Sequence, residues 1–166
     1  EKLHTQMSIA EKFIDQINNI INNRIVHNLR WIEALLLVDI PSGQSFALNE
    51  FQARQKVHIS TCSQAIKSKW DEICTALDDL HAIVQKYQPT GTKFDHISFN
   101  GVKYYFSNIM YRSILKCTTN SLWALKARLD DNDALETNPL FNISVILSIP
   151  KVKASPSYNE VYEIIM

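Results

Sequence analysis

Few residues in this chain are spaced for chemistry. His58 and Cys62 stand four apart, where two side chains on one helix face can share a metal ion. No third or fourth ligand accompanies them. The plainer reading makes Cys62 a small core residue and His58 a boundary one. Cys74, Asp78 and His81 supply a thiol, a carboxylate and a base. Cys74 to His81 is about two helical turns, a rise of ~10 Å, too far for contact within one helix. The pairs Asp78-Asp79 and Asp130-Asp131 could work as general acid and base, but adjacent carboxylates at helix surfaces and ends are ordinarily just solvated. Lys67 and Lys69 precede Trp70, and Lys126 and Arg128 follow Trp123. Such pairs can stack on nucleic-acid bases. A neutral chain and the helical phase of Trp31, Trp70 and Trp123 favour core anchoring instead. No catalytic, cofactor-binding or metal-binding residue is therefore expected.

Composition narrows the classes further. The 166 residues suit one domain or one piece of a larger assembly, and a hydrophobic fraction of 46% can build a core. Lys plus Arg equals Asp plus Glu, 17 against 17, which leaves no broad footprint for nucleic acid or an anionic membrane. The glycines are Gly43, Gly91 and Gly101, and no phosphate-cradling Gly motif is present. Cys62, Cys74 and Cys117 are too few and of odd number for a disulfide framework, and fit reduced thiols of the cytosol. No apolar run approaches the ~20 residues of a membrane span. Asn142-Ile143-Ser144 matches a glycosylation sequon, read here as accidental. Both ends are expected to continue into further polypeptide.

Three long helices must carry these residues. Over 1–38, Phe13, Ile14, Ile17, Ile20, Ile21, Ile25, Ile32, Leu35 and Leu36 form one apolar stripe. As one helix it would be roughly 55 Å long, with an Asn-rich middle of weak propensity over 18–24. DIPSGQSFA (39–47) is a break. Over 48–87, Ile66, Trp70, Ile73, Leu77, Leu80, Val84 and Tyr87 alternate four and three apart, a heptad seam, with Cys62 and Ile59 extending it. QPTGTKFDHISFNG (88–101) is a second break, long for a bundle connection, where about 2–8 residues is usual; Phe94, Ile97 and Phe99 alternate within it. Over 102–129 the stripe is Val102, Phe106, Ile109, Met110, Ile114, Cys117, Leu122, Leu125 and Leu129, with Tyr104, Tyr105 and Tyr111 adding aromatic bulk. DDNDALETNP (130–139) ends it. The fold class is mainly α: three long antiparallel helices of a bundle over 1–137, then a short β-strand and the start of a further helix over 138–166.

That ending carries the functional information. Phe141, Ile143, Val145, Leu147 and Ile149 alternate along one face of a strand. A lone strand leaves its backbone groups unpaired, and no second convincing strand stands in the chain. It adds to a sheet in a following module or partner chain, or it forms a short hairpin or strap on the bundle. Ser157 and Glu160 make a capping box, and Val161, Tyr162, Ile164 and Ile165 begin an apolar helical stripe. Phe141, Ile143, Val145, Leu147, Ile149, Ser157 and Glu160 are the candidate residues for packing on a partner or on the next module.

These residues carry a resemblance. The strand, Ile149-Pro150, Val152 and then Pro156-Ser157-x-x-Glu160-Val161 resemble the segment leading into the linker of dynein heavy chains, the axonemal type above all. N-P-L-F (138–141) and SLWALKARL (121–129) are similar to that family too, although Tyr158 stands where members more often carry Leu. The specific likeness covers 120–166; over 1–119 only a compatible pattern of long helices is present. The resemblance implies a non-catalytic tail segment, helical bundles stacked before a linker that is moved by ATP-driven rings farther along. It implies intermediate and light chains, sister heavy chains and the downstream linker as partners, with neither nucleic acid nor membrane, no cofactor here, and a place in the cytoplasm and cytoskeleton, in the axoneme of a cilium or flagellum. On the residues alone the competing class is a free-standing helical adaptor or scaffold; an enzyme comes third.

Overall fold

A computed structural model describes residues 2–41, 43–87, 96–130 and 139–165. Most of them are helical. The N-terminal run comprises α1 (Lys2–Ile20), a π-helical stretch (Ile21–Val26) and α2 (His27–Ala34); α3 (Leu48–Lys86) and α4 (His96–Asp130) are the long helices. Strands β1 (Ser144–Ser148) and β2 (Lys151–Ser155) precede α5 (Tyr158–Ile165). The chain packs as two compact units, Glu1–Leu35 with Ser63–Thr118, and Leu36–Cys62 with Thr119–Met166. The boundary predicted at 137–138 falls outside the described residues, as do most of the two breaks over 88–101 and 130–139.

In the first unit the core is helical stripe against helical stripe. Ile20, Ile25, Leu29 and Ile32 meet Ile73, Ala76, Leu77 and Leu80 of α3 and Phe99, Phe106 and Met110 of α4. Ile73 is wholly buried, and the partly buried Ile66 and Trp70 pack on the same cluster, as the heptad seam predicts. The π stretch falls on the Asn-rich segment and has a packing reason. Ile20 and Ile25 are five apart, and the i→i+5 bonding of a π turn brings residues at that spacing onto one face; both are buried. The first helix stops at Ala34, short of the predicted Val38, and Leu35 is extended, with ψ 138°. The Leu35 carbonyl is taken by the Cys117 thiol, which donates to it at 3.2 Å. Helix α4 starts at His96, not Val102. Phe99 and Phe106, seven apart, both face the core, so a stretch read as alternating is helical instead. Phe94 and the side chain of Ile97 lie outside what is described.

The second unit is built differently. Phe46, Phe51, Leu140 and Phe141 form its core, with Ile40, Leu48, Leu125, Leu129, Val161, Ile164 and Ile165 packed against them. The segment after Leu36, read as helix to Val38 and as a simple break from Asp39, is pinned by polar groups. Ser121, itself buried, accepts from the Leu37 N–H at 2.8 Å. Gln55 takes both backbone groups of Asp39, accepting its N–H at 3.0 Å and donating to its carbonyl at 2.6 Å, while Arg54 holds the Asp39 carboxylate at 2.7 Å. Phe46 donates to the Leu140 carbonyl at 2.9 Å and accepts from the Asn142 N–H at 3.0 Å, a one-residue parallel bridge to Phe141.

Several stripe and anchor assignments need correction: Ile14 is 53% exposed, Leu36 41% and Ile59 50%, so none of these lies in the core. Trp123 is 63% exposed and Leu122 61%, so neither anchors the core. Trp31 is 37% exposed and carries Lys69 over its ring at 5.8 Å, so it too is a surface residue. The three tryptophans do not share one role.

Candidate partner surface at the C-terminal hairpin

The strand predicted over Phe141–Ile149 is shorter, Ser144–Ser148, and has a partner within the chain: β2 pairs with it antiparallel. KVKAS escapes a reading by hydrophobicity because two of its five residues are lysines. The register decides what the hairpin presents. Val145 lies opposite Ala154, Leu147 opposite Val152 and Ile146 opposite Lys153. With side chains alternating along each strand, Val145, Leu147, Val152 and Ala154 share one face, and Ser144, Ile146, Lys151 and Lys153 the other. The first face is wholly apolar and open to water: Val145 is 75% exposed, Leu147 74% and Val152 64%, with Ile149 at 88% in the turn and Ile143 at 59% leading in. Each such side chain brings about 1.5–3 kcal/mol when buried. A two-stranded hairpin is marginal by itself, so this face gains most from a covering layer.

The other predicted residues behave differently. Phe141 is buried in the core of its own unit, 5.1 Å edge-on to Phe51, and does not belong to the open face. Ser157 and Glu160 form the predicted capping box: the Ser157 N–H and hydroxyl donate to the Glu160 carboxylate at 2.6 and 2.9 Å, and the Glu160 N–H donates to Ser157 Oγ at 3.4 Å. The Ser157 N–H, then its hydroxyl, hold the Glu160 carboxyl below its ordinary value. These two residues define where α5 begins, and Val161, Ile164 and Ile165 tie that helix to the unit's core. Ser155, Pro156, Glu160, Glu163 and Ile164 line an open groove of about 500 Å³ with Leu48, Asn49 and Gln52.

The chemically suggestive clusters are occupied otherwise. His58 Nε2 lies 2.9 Å from the Leu36 carbonyl, to which the Cys62 thiol donates at 3.6 Å; Sγ and Nε2 are 3.4 Å apart. Burial pushes the Cys62 thiol up, away from the thiolate that binds metal. Among the described residues no three His, Cys, Asp or Glu side chains gather to hold a metal ion. Burial, then Asp71 and Asp78, push the Cys74 thiol up as well. His81 is stacked on Phe99 at 4.1 Å and accepts from Gln85 at 3.0 Å, and Asp78 is held by Lys103 at 2.8 Å. Asp79 pairs separately with Arg24 at 2.5 Å, and Asp130 with Lys126; Asp131 lies outside the described residues.

Sequence reasoning missed two polar links of the first unit. The buried Asn28 donates to Glu72 at 3.0 Å, and Lys69 holds the same carboxylate at 2.9 Å. Glu33 accepts from the buried Ser113 at 3.1 Å and from Lys116 at 2.6 Å. The Lys116 hydrogen bond above all draws the Glu33 carboxyl below its ordinary value, against burial. These partners stand 44, 80 and 83 residues apart in sequence, with no local signal.

No protein-family model matches the sequence. The chain is similar to the dynein gamma chain of the flagellar outer arm of Chlamydomonas reinhardtii, 28% identical over 163 residues that cover 91% of this chain and 4% of that protein. The likeness thus reaches well beyond 120–166, into the helices where only a general pattern was legible. Carried along nearly the whole chain, the likeness supports reading this sequence as a segment of a dynein heavy chain.

Proposed function

We propose that this segment is a non-catalytic structural piece of the tail, standing immediately before the linker and joining the tail's helical bundles to it. The parent chain would be an ATP-driven microtubule motor, and this piece would transmit force without a cofactor of its own. A cytoskeletal place, in the axoneme of a cilium or flagellum, goes with the family. The observation that carries the proposal is the hairpin's open apolar face, Val145, Leu147 and Val152, set beside a firmly capped α5. The downstream linker would cover that face. Intermediate and light chains and sister heavy chains would be its other partners, and the segment would support their assembly away from the hairpin face. An antiparallel, up-down-up course of the helices would suit the load, since long packed helices with few glycines resist bending.

Amide exchange tests the junction. Two lengths of the parent heavy chain are compared, one ending after this segment and one running through the linker. The amides of 144–155 should exchange at least tenfold more slowly in the longer chain. Equal rates would remove the hairpin from the junction and leave the segment's place along the tail open.

A further inference from the structure

Helix α4 has a second organised face, which the proposed junction does not use. Its inward side, Phe106, Met110 and Cys117, is buried. On its outward side in the first unit, Tyr104 is 71% exposed, Tyr111 63% and Leu115 48%. Residues seven and eleven apart on a helix return to within about 20° of one line, so these three form a straight stripe, and Asn108 falls within it. The spacing 104, 108, 111, 115 is the four-three-four alternation of a heptad seam, and one Asn in such a seam fixes register. Single exposed apolar residues need no explanation, whereas an aligned row of large ones does. Tyr105, Asn108, Ile109, Tyr111 and Arg112 enclose a depression of about 330 Å³, suited to a knob from a facing helix.

Charge says what flanks that facing helix. Helix α4 carries Lys103, Arg112, Lys116, Lys126 and Arg128, and its one acidic residue is Asp130, at its end. Lys103 and Lys116 are held by Asp78 and Glu33. Arg112, beside Tyr111, pairs with no carboxylate among the described residues. We infer that Tyr104, Tyr111 and Leu115 dock an amphipathic α-helix of a partner chain, whose apolar seam is flanked by carboxylates that meet Arg112. The four-three-four spacing matches the seam of a facing helix rather than the period-two spacing of an extended peptide. A second copy of the same face would set cation against cation.

The test uses the assembled parent motor. Photoreactive p-benzoylphenylalanine replaces Tyr104, Tyr111 and Leu115 in turn, with the exposed Lys67 of α3 as control, and captured peptides are sequenced. The three positions should capture one segment of one partner chain, at residues three and four apart with Asp or Glu beside them. Arg112→Glu should cut the yield at position 111 at least fivefold. Yields at the control level, capture of lipid, nucleic acid or a second α4, a partner segment captured at alternate residues, or indifference to Arg112→Glu would each overturn the inference.

Discussion

The two units reach a buried core by different routes. In the first, three helical runs contribute apolar side chains at every third or fourth residue, and Ile25, Ile32 and Ile73 lose all contact with water. In the second, Phe51 of α3 is the one helical member of the buried centre; Phe46, Leu140 and Phe141 stand outside the helices and are held by a one-residue bridge. Polar links also differ. Those of the first unit join helix to helix, as Glu33 does with Ser113 and Lys116. Those of the second hold loop backbone, as Gln55 does with Asp39. A helical core spreads its energy over a repeating contact, whereas a loop core concentrates it in a few side chains and the backbone bonds that place them.

The largest effects should separate the two routes. Phe141→Ala should cost about 3–5 kcal/mol and Ile73→Ala about 2–5 kcal/mol, read by denaturant unfolding. Amide exchange should locate the damage: Phe141→Ala should speed exchange over 36–62 and 119–165, and Ile73→Ala over 2–35 and 63–118. A uniform rise throughout in either variant would break the comparison.

A smaller effect concerns α5 and its acid sensitivity. Ser157→Ala should cost about 0.5–2 kcal/mol, the usual loss for a helix cap. Glu160 has its carboxyl lowered in the folded chain by the Ser157 N–H first and its hydroxyl second. Its stabilisation is therefore present above the ordinary Glu value of about 4.3 and is lost as pH falls through the lowered folded value. Exchange in α5 should quicken on acidification through that window, and Glu160→Gln should flatten the dependence. Glu33, lowered chiefly by Lys116, should give the first unit a loss of the same sign. A rise in stability on acidification would contradict both.

The smallest effects sharpen the contrast between a seam and a surface. Trp70, packed against the first core, should lose roughly 1.5–3 kcal/mol of burial on change to Ala. Trp123→Ala should stay within about 0.5 kcal/mol, as for surface positions generally. A loss above 2 kcal/mol for Trp123 would mean that its ring is covered.

Periodic features were legible in the sequence because a helix repeats its geometry. Residues 66–80 could be placed on a buried face from spacing alone, and Ser157 with Glu160 could be read as a cap because that exchange of hydrogen bonds is local. The same reasoning mistook Leu122 and Trp123 for core, since phase fixes which residues share a face but not whether that face is covered. It missed β2, because Lys151 and Lys153 hide Val152 and Ala154, and it missed the π turn, which only the joint burial of Ile20 and Ile25 explains. The tertiary structure alone decided that Phe141 turns inward while Val145, Leu147 and Val152 remain open. That choice depends on the Phe46 bridge and the hairpin register, contacts between residues far apart or on facing strands, and such contacts leave no period in a sequence.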